Sequence, residues 1–270
     1  MSVLQNVVII SLYFHIWSGR RKLRPEDLMS EPHGLPPEPL VSLGSKRVFD
    51  PEALKPFYEL KRQAESICLE KGARFLKGFA EPKDHVQNVM LRLNALKKTF
   101  DATTAGFIAH YDLVSQRWKD EYPQFAHIIE KEMLSKEQVA RRLYFDYKPF
   151  TVNAVDDALA QIADDGGADL AVGLAGQLFL EISAQARELA KRSLDGRTEV
   201  TQKFLRPLRA IHSKLTGLRF VDGNVDPIIV ELEKVFAAMP RTGKISGVDL
   251  AALRGVCALL SDPEIGRAHV

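Results

Sequence analysis

Apolar and polar residues alternate from Val7 to Ser18: Ile10, Leu12, Phe14 and Ile16 fall on one side, Ser11, Tyr13 and His15 on the other. Period two with β-branched and aromatic residues predicts a strand over 7–18. A second alternation, Leu143, Phe145 and Tyr147 against Tyr144, Asp146 and Lys148, predicts its mate. Such a pair needs a helix to cover its apolar face. Between them the chain turns to helical spacing. Asp50 stands as an N-cap with Pro51 at the first helical position, and Ala53, Phe57, Leu60, Ala64 and Ile67 form one face of a helix over 51–71 that ends at Gly72. "ARFLKGFAEP" reads as a connector. From Val86 the apolar residues Val86, Leu93, Phe100, Phe107 and Val114 recur every seventh position. Their companion row, Val89 and Leu96, turns polar at Thr103, His110 and Arg117 and moves one residue on, to Tyr111 and Trp118. That drift is what a nearly straight helix does against a heptad. It predicts one helix over about 83–121, paired antiparallel with 51–71, with His110 as a packing residue on the seam.

A further helix is expected over 123–141, and the chain is helical again from 154. "DDGG" at 164–167 breaks the first of these stretches. "LAVGLAGQLFLEI" is apolar nearly all round, which predicts a buried helix with Gly173 and Gly176 at a close contact. Over 198–217 the apolar face is Phe204, Leu208, Ile211 and Leu215, with Pro207 at an expected kink. Asp226-Pro227 opens another helix, and Ser246 with Asp249 reads as a capping box for the last. Five prolines between Pro25 and Pro39 mark a loop or extended arm. The expected fold is mainly α: an elongated antiparallel helical hairpin or coiled-coil-like bundle, a minor two-stranded β-sheet and a C-terminal helical region. The expected domains are 1–153, strand plus long hairpin, and 154–263, helical.

Charge adds detail to this plan. The 37 basic and 35 acidic residues leave only +2, which does not announce a nucleic-acid binder. Residues 1–153 carry 23 bases and 19 acids, and 154–270 carry 14 and 16. Residues 154–181 hold six acids (Asp156, Asp157, Asp164, Asp165, Asp169, Glu181) and no base. Residues 187–219 hold nine bases (Arg187, Lys191, Arg192, Arg197, Lys203, Arg206, Arg209, Lys214, Arg219) against three acids. Such a dipole positions partners or pairs helix with helix. At the N-terminal strand's end, "WSGRRKL" sets Arg20, Arg21 and Lys22 behind Trp17.

The chain carries none of the usual catalytic or metal-binding spacings. The histidines are scattered, with no HxxxH or HExxH spacing, so no metal site is expected. "DDGGADLAVGLAG" has glycines but no Lys-Ser/Thr to complete a phosphate loop, and there is no GxSxG. No cofactor is expected. Cys68 and Cys257 show no CxxC spacing, which suits a reducing cytoplasm. "VVIISLYFHIW" lacks the flanks of a signal peptide and the length of a membrane helix, so neither is expected. "EIGRAHV" at the end looks like a translated sequencing adapter. Residues 264–270 are therefore expected to be an artefact that replaces the natural C-terminus.

The segments "HIWSGRRKL", "RPEDL", "FDPEALKPFYELKRQAESICLEKGARFLKGFAEP", "FIAHYDLVSQRWKDEYPQF" and "RRLYFDYKPFTV" together resemble a bacterial family known only as a domain of unknown function, over roughly residues 7–153. Its members occur on conjugative plasmids, integrative elements and phages, often encoded near a MoxR-like or cobalt-chelatase-like AAA+ ATPase. The resemblance implies a setting and an ATPase partner, and no catalytic residue. The leading expectation is a non-enzymatic scaffold or adaptor that uses Asp156, Asp157, Asp164 and Asp165 toward its partner. The alternative is a nucleic-acid-binding accessory that uses Arg20, Arg21, Lys22, Arg187, Lys191, Arg192, Lys203, Arg206 and Arg209. No membrane association is expected.

Overall fold

The computed structural model describes residues 3–24, 44–152 and 166–262. It is mostly helical, with eight α-helices and small antiparallel sheets among these residues. The strands are β1 (Val7–His15), β2 (Arg20–Lys22), β3 (Ser45–Arg47), β4 (Ala73–Phe75), β5 (Gly78–Pro82), β6 (Tyr144–Phe150), β7 (Glu199–Thr201) and β8 (Lys244–Ser246). The helices are α1 (Lys55–Leu69), α2 (Lys83–Glu121), α3 (Ala126–Glu132), α4 (Lys136–Ala140), α5 (Gly166–Ser193), α6 (Leu205–Gly217), α7 (Val225–Ala238) and α8 (Gly247–Ser261).

The expected two-stranded sheet is instead four-stranded, in the order β4-β5-β1-β6, and β2-β3 and β7-β8 form two further ribbons. The β4-β5 hairpin carries no turn signature in the sequence, because its two-residue turn is Leu76-Lys77. Both take positive φ, 46° and 59°, the left-handed pair of a type I′ turn that Asn-Gly or Asp-Gly ordinarily supplies. The pairing Ala73↔Ala80, Arg74↔Phe79, Phe75↔Gly78 follows from that turn, and β5 then pairs with β1 from Val7↔Pro82 to Ile10↔Phe79.

The chain divides into two compact units. One comprises Met1–Ser11, Glu65–Arg92 and Tyr147–Val270. Its core gathers Leu174, Leu178 and Ile182 of α5, Leu208, Ile211 and Leu215 of α6, Leu232 of α7, and Leu253 and Leu260 of α8 around Val7, Ile9, Ala73 and Ala80. The expected face of the 198–217 segment is the one buried, but β7 occupies its start and the helix begins at Leu205. Pro207 therefore lies in the first turn, where no intrahelical N–H is lost, and no kink is required. Gly173 would place a Cβ 3.8 Å from the Phe75 ring, whereas among the described residues nothing lies within 4 Å of one at Gly176, so of the two the first glycine is the one seen to meet a neighbour. Nor is α5 buried all round, since Val172 and Leu180 are 70% and 53% exposed. Ser246 precedes α8 without a side-chain cap hydrogen bond.

The other unit comprises Leu12–Ala64 and Leu93–Asp146. Its core is aromatic. Phe57 of α1 meets Phe100 and Phe107 of α2 at 5.2 and 5.5 Å, Phe14 stacks on Phe145 at 4.1 Å, and Phe49 stacks on Tyr111 at 5.0 Å beside Trp17. Edge and offset contacts of this kind stabilise by about 0.5–1.5 kcal/mol each beyond the area they bury. Helix α2 has the expected limits and, at about 1.5 Å per residue, is about 58 Å long. Its seam buries Leu93, Leu96, Phe100 and Tyr111, while His110 is exposed and meets the Gly106 carbonyl of its own helix. The seam has rotated away by that turn. The helix expected over 123–141 breaks at 133–135, where Ser135 and Gln138 close a capping box that starts α4.

Candidate functional site

Sequences "RRK" and "SKR" have no apolar alternation to make them strands, yet β2 and β3 pair as Arg20↔Arg47, Arg21↔Lys46 and Lys22↔Ser45. Backbone bonds extend the ribbon at both ends, Leu23 N–H to the Gly44 carbonyl and Val48 N–H to the Gly19 carbonyl. Gly19 makes the entry possible: its φ is +63°, and a Cβ there would stand 3.2 Å from Phe49 Cβ. Alternation divides the cations into two sets. Arg21 and Lys46 face inward, where Arg21 Nε donates to the Glu132 carbonyl at 3.2 Å and Lys46 Nζ lies 3.5 Å from the Glu132 carboxylate. Arg24 approaches the same carboxylate at 3.8 Å. Arg20, Lys22 and Arg47 face solvent. Among the described residues no carboxylate lies within 4 Å of Arg20 or Arg47, although the two sit directly opposite each other. Like charges so placed destabilise a ribbon by about 0.2–1 kcal/mol. A local rule broken with no compensation among the described residues points to function.

Beside the ribbon opens a cleft of about 470 Å³. Lys46 and Arg47 of β3 line it with Val48 just beyond, together with Trp118 near the end of α2, Tyr122 and Phe125 from the turn that follows, and Ile129 of α3. The Trp118 and Tyr122 rings meet at 4.7 Å and 62°, and Phe125 is 50% exposed. The buried Trp118 indole N–H finds no acceptor among the described residues. A hydrogen bond to Glu121 raises the Tyr122 phenol pKa, and the Arg47 charge opposes it, so charges of both signs stand by that ring. Trp17, the aromatic residue nearest in sequence to the basic run, is buried against Phe49 and Tyr111 and offers no open face.

The remaining six predicted cations lie in the other unit, and three of them are engaged. Arg187 donates to the Ser183 hydroxyl and carbonyl, Arg192 pairs with Glu188, and Arg209 lies over the Phe236 ring at 6.0 Å. Lys191 and Arg206 are exposed. Lys203 joins Arg197, Lys244 and Glu199 around a second cleft of about 420 Å³. Lys214, counted with the basic stripe, is 1% exposed and bonded to Glu181 at 2.6 Å. Its place between Ile211 and Leu215 on the apolar face was the available signal. Asp156, Asp157, Asp164 and Asp165 lie outside the described residues.

Around Lys214 the same unit holds a buried ionisable cluster that sequence reasoning missed. Glu181 also accepts from the Arg74 N–H at 2.8 Å and from Gln177 at 3.2 Å. Glu81 of β5 is fully buried; His85 stands 3.4 Å from one carboxyl oxygen, and the other has no partner among the described residues. Burial pushes its pKa up to about 8, with Glu70 adding to the rise and Lys214 and Arg92 opposing it. Burial likewise lowers the His85 pKa. Neither cleft is lined by these side chains. Cys68 and Cys257 are free and buried, and burial raises both thiols, Cys257 to about 11, so neither is an activated nucleophile. Among the described residues no His/Cys/Asp/Glu group is placed to hold a metal, and no helix is long and apolar enough to cross a membrane.

No curated protein and no solved structure matches the chain. A family model does, over residues 4–262, and its description is "Protein of unknown function (DUF3150)". With nearly the whole length matched, the chain belongs to that family.

Proposed function

We propose that the protein is a non-enzymatic, cytoplasmic nucleic-acid-binding accessory of a bacterial mobile-element system, and that the β2-β3 ribbon is its phosphate-binding surface. One observation carries this reading: Arg20 and Arg47 face each other and solvent, with Lys22 on the same face and no carboxylate within 4 Å of either arginine among the described residues. Phosphate oxygens would relieve the repulsion that the ribbon otherwise bears. Buried, unactivated thiols and the scattered histidines support a binding role over catalysis. The two arginines should contribute about 1.4 to the slope of log affinity against log salt on a single strand. The double change Arg20→Ala, Arg47→Ala should therefore weaken DNA binding and remove about that much slope. Unchanged binding with an unchanged slope would overturn the assignment.

A second reading, a scaffold or adaptor for a MoxR-like AAA+ ATPase, has its own support. Val172, Gly176 and Leu180 stand four residues apart on α5, two of them large, apolar and mostly exposed, and among the described residues nothing lies within 4 Å of a Cβ at Gly176. Val172→Lys with Leu180→Lys should abolish ATPase capture by the folded protein, and intact capture would remove this surface from consideration.

A further inference from the structure

We propose that the cleft beside the β2-β3 ribbon receives an unstacked nucleobase, so that this surface prefers single-stranded to double-stranded nucleic acid. The inference rests on the ribbon being a phosphate-binding surface, and adds what the neighbouring cleft recognises. Its rings and cations share one opening: Trp118, Tyr122 and Phe125 line the same space as Lys46 and Arg47. Phosphate and base are covalently joined through the sugar, so a strand held by Arg47, which itself lines the cleft, brings an aromatic ring beside it. The volume, about 470 Å³, falls in the range of roughly 300–1,000 Å³ in which small planar ligands are held. A ring half exposed at Phe125 beside the Arg47 cation suits an occupant with both a π-face and carbonyl or ring-nitrogen acceptors. A base has that combination only when it is out of the stack; within a duplex its faces are covered. The ribbon is also short. Three residues span about 10 Å, which suits a few phosphates of one strand rather than a groove that tracks a duplex.

The charge pattern separates this occupant from a peptide. The ribbon presents Arg20, Lys22 and Arg47 outward, and the inward-facing Glu132 is already shared by Lys46 and Arg24. A polyanion with rings at regular intervals complements such a surface, and single-stranded nucleic acid is that polymer.

The test uses the full chain and fluorescence anisotropy of a labelled oligothymidylate of about a dozen nucleotides, beside a duplex of equal length. Wild type should bind the single strand at least about tenfold more tightly than the duplex. Tyr122→Ala and Phe125→Ala should each weaken single-strand binding by about five- to a hundredfold and leave duplex binding nearly unchanged. Phe125→Trp should restore it. Because Phe125 is half exposed, the Phe125→Ala and Phe125→Trp pair keeps the test valid even where Tyr122→Ala lowers the melting temperature. Ring variants that bind the single strand like wild type, while Arg20→Ala/Arg47→Ala still weakens binding, would overturn the base site and leave the phosphate reading intact. Wild-type binding by both sets of variants would overturn both. Ring-dependent binding of an acidic, phenylalanine-containing peptide, without binding of the oligonucleotide, would overturn the base site in favour of a protein partner.

Discussion

Replacing Glu81 by Gln should make the protein more stable, and by an amount that grows with pH. Glu81 is fully buried on β5, with His85 at 3.4 Å as its nearest partner and one carboxyl oxygen unpaired among the described residues. Burial holds its pKa at about 8 in the folded chain, against 4.5 for an ordinary glutamate. Between those values the folded protein keeps a proton that the unfolded chain has released. Stability therefore falls as pH rises through this window, and is level with respect to this group below 4.5 and above 8. The interval is 8 minus 4.5, or 3.5 pH units. At about 1.4 kcal/mol per unit the full loss is about 5 kcal/mol, of which about 3 has accrued by pH 7. Glutamine has nearly the same shape and does not titrate, so Glu81→Gln should escape that loss. Urea unfolding of both proteins at pH 5, 7 and 9 measures it. The stability difference between Glu81→Gln and wild type should widen in favour of the variant by several kcal/mol across the series. His85, whose pKa burial lowers, works in the other direction: its contribution is complete above about pH 6.5 and is lost as pH falls below it. Comparing variant with wild type at each pH cancels most of that second effect. Parallel pH profiles would refute the reasoning, since they would mean that Glu81 ionises alike in both states.

Gly72→Ala should destabilise by at least about 2 kcal/mol, because the new Cβ would lie 2.5 Å from the Cys68 carbonyl and 2.6 Å from a Glu81 carboxyl oxygen; an unchanged melting temperature would show that the backbone there yields freely. Lys214→Met should cost about 3–5 kcal/mol in denaturant unfolding by leaving the Glu181 carboxylate without its ammonium partner. Adding Glu181→Gln should recover part of that loss, and the absence of any recovery would count against the pair as its cause. Arg47→Ala should leave stability unchanged or raise it by about 0.2–1 kcal/mol, as a like-charge pair across the ribbon is removed, while weakening DNA binding; a clear loss of stability would show that Arg47 is structural.

Helix α2 was legible because its information is periodic: apolar residues at helical spacing, with the drift that a 3.6-residue turn imposes, mark its 39 residues without reference to the rest of the chain. Strand β1 and its neighbour β6 were legible for a similar reason, through period two. The β4-β5 hairpin was not, because Leu76-Lys77 lacks the glycine or asparagine that announces a left-handed turn, and the flanking strands impose the conformation. Arg20, Arg21 and Lys22 stood out as a charge run, but nothing in "SKR" at 45–47 marked it as their partner. Trp118 carries only the spacing of a helix seam, and Tyr122 and Phe125 carry no signal, since a cleft is a relation between segments.

By itself, then, the sequence determined that the protein is mostly helical, where its longest helix lies, and which apolar faces seek burial. Those properties follow from neighbours within a few residues along one element, where side-chain direction depends only on backbone period. Only the tertiary structure decided that Arg47 stands opposite Arg20, that three rings share a cleft with those cations, and that Lys214 and Glu81 are buried while Arg20 is exposed. Strand register and burial depend on residues distant in sequence. The same lysine is a solvated charge or half of a buried ion pair according to what the rest of the chain packs against it.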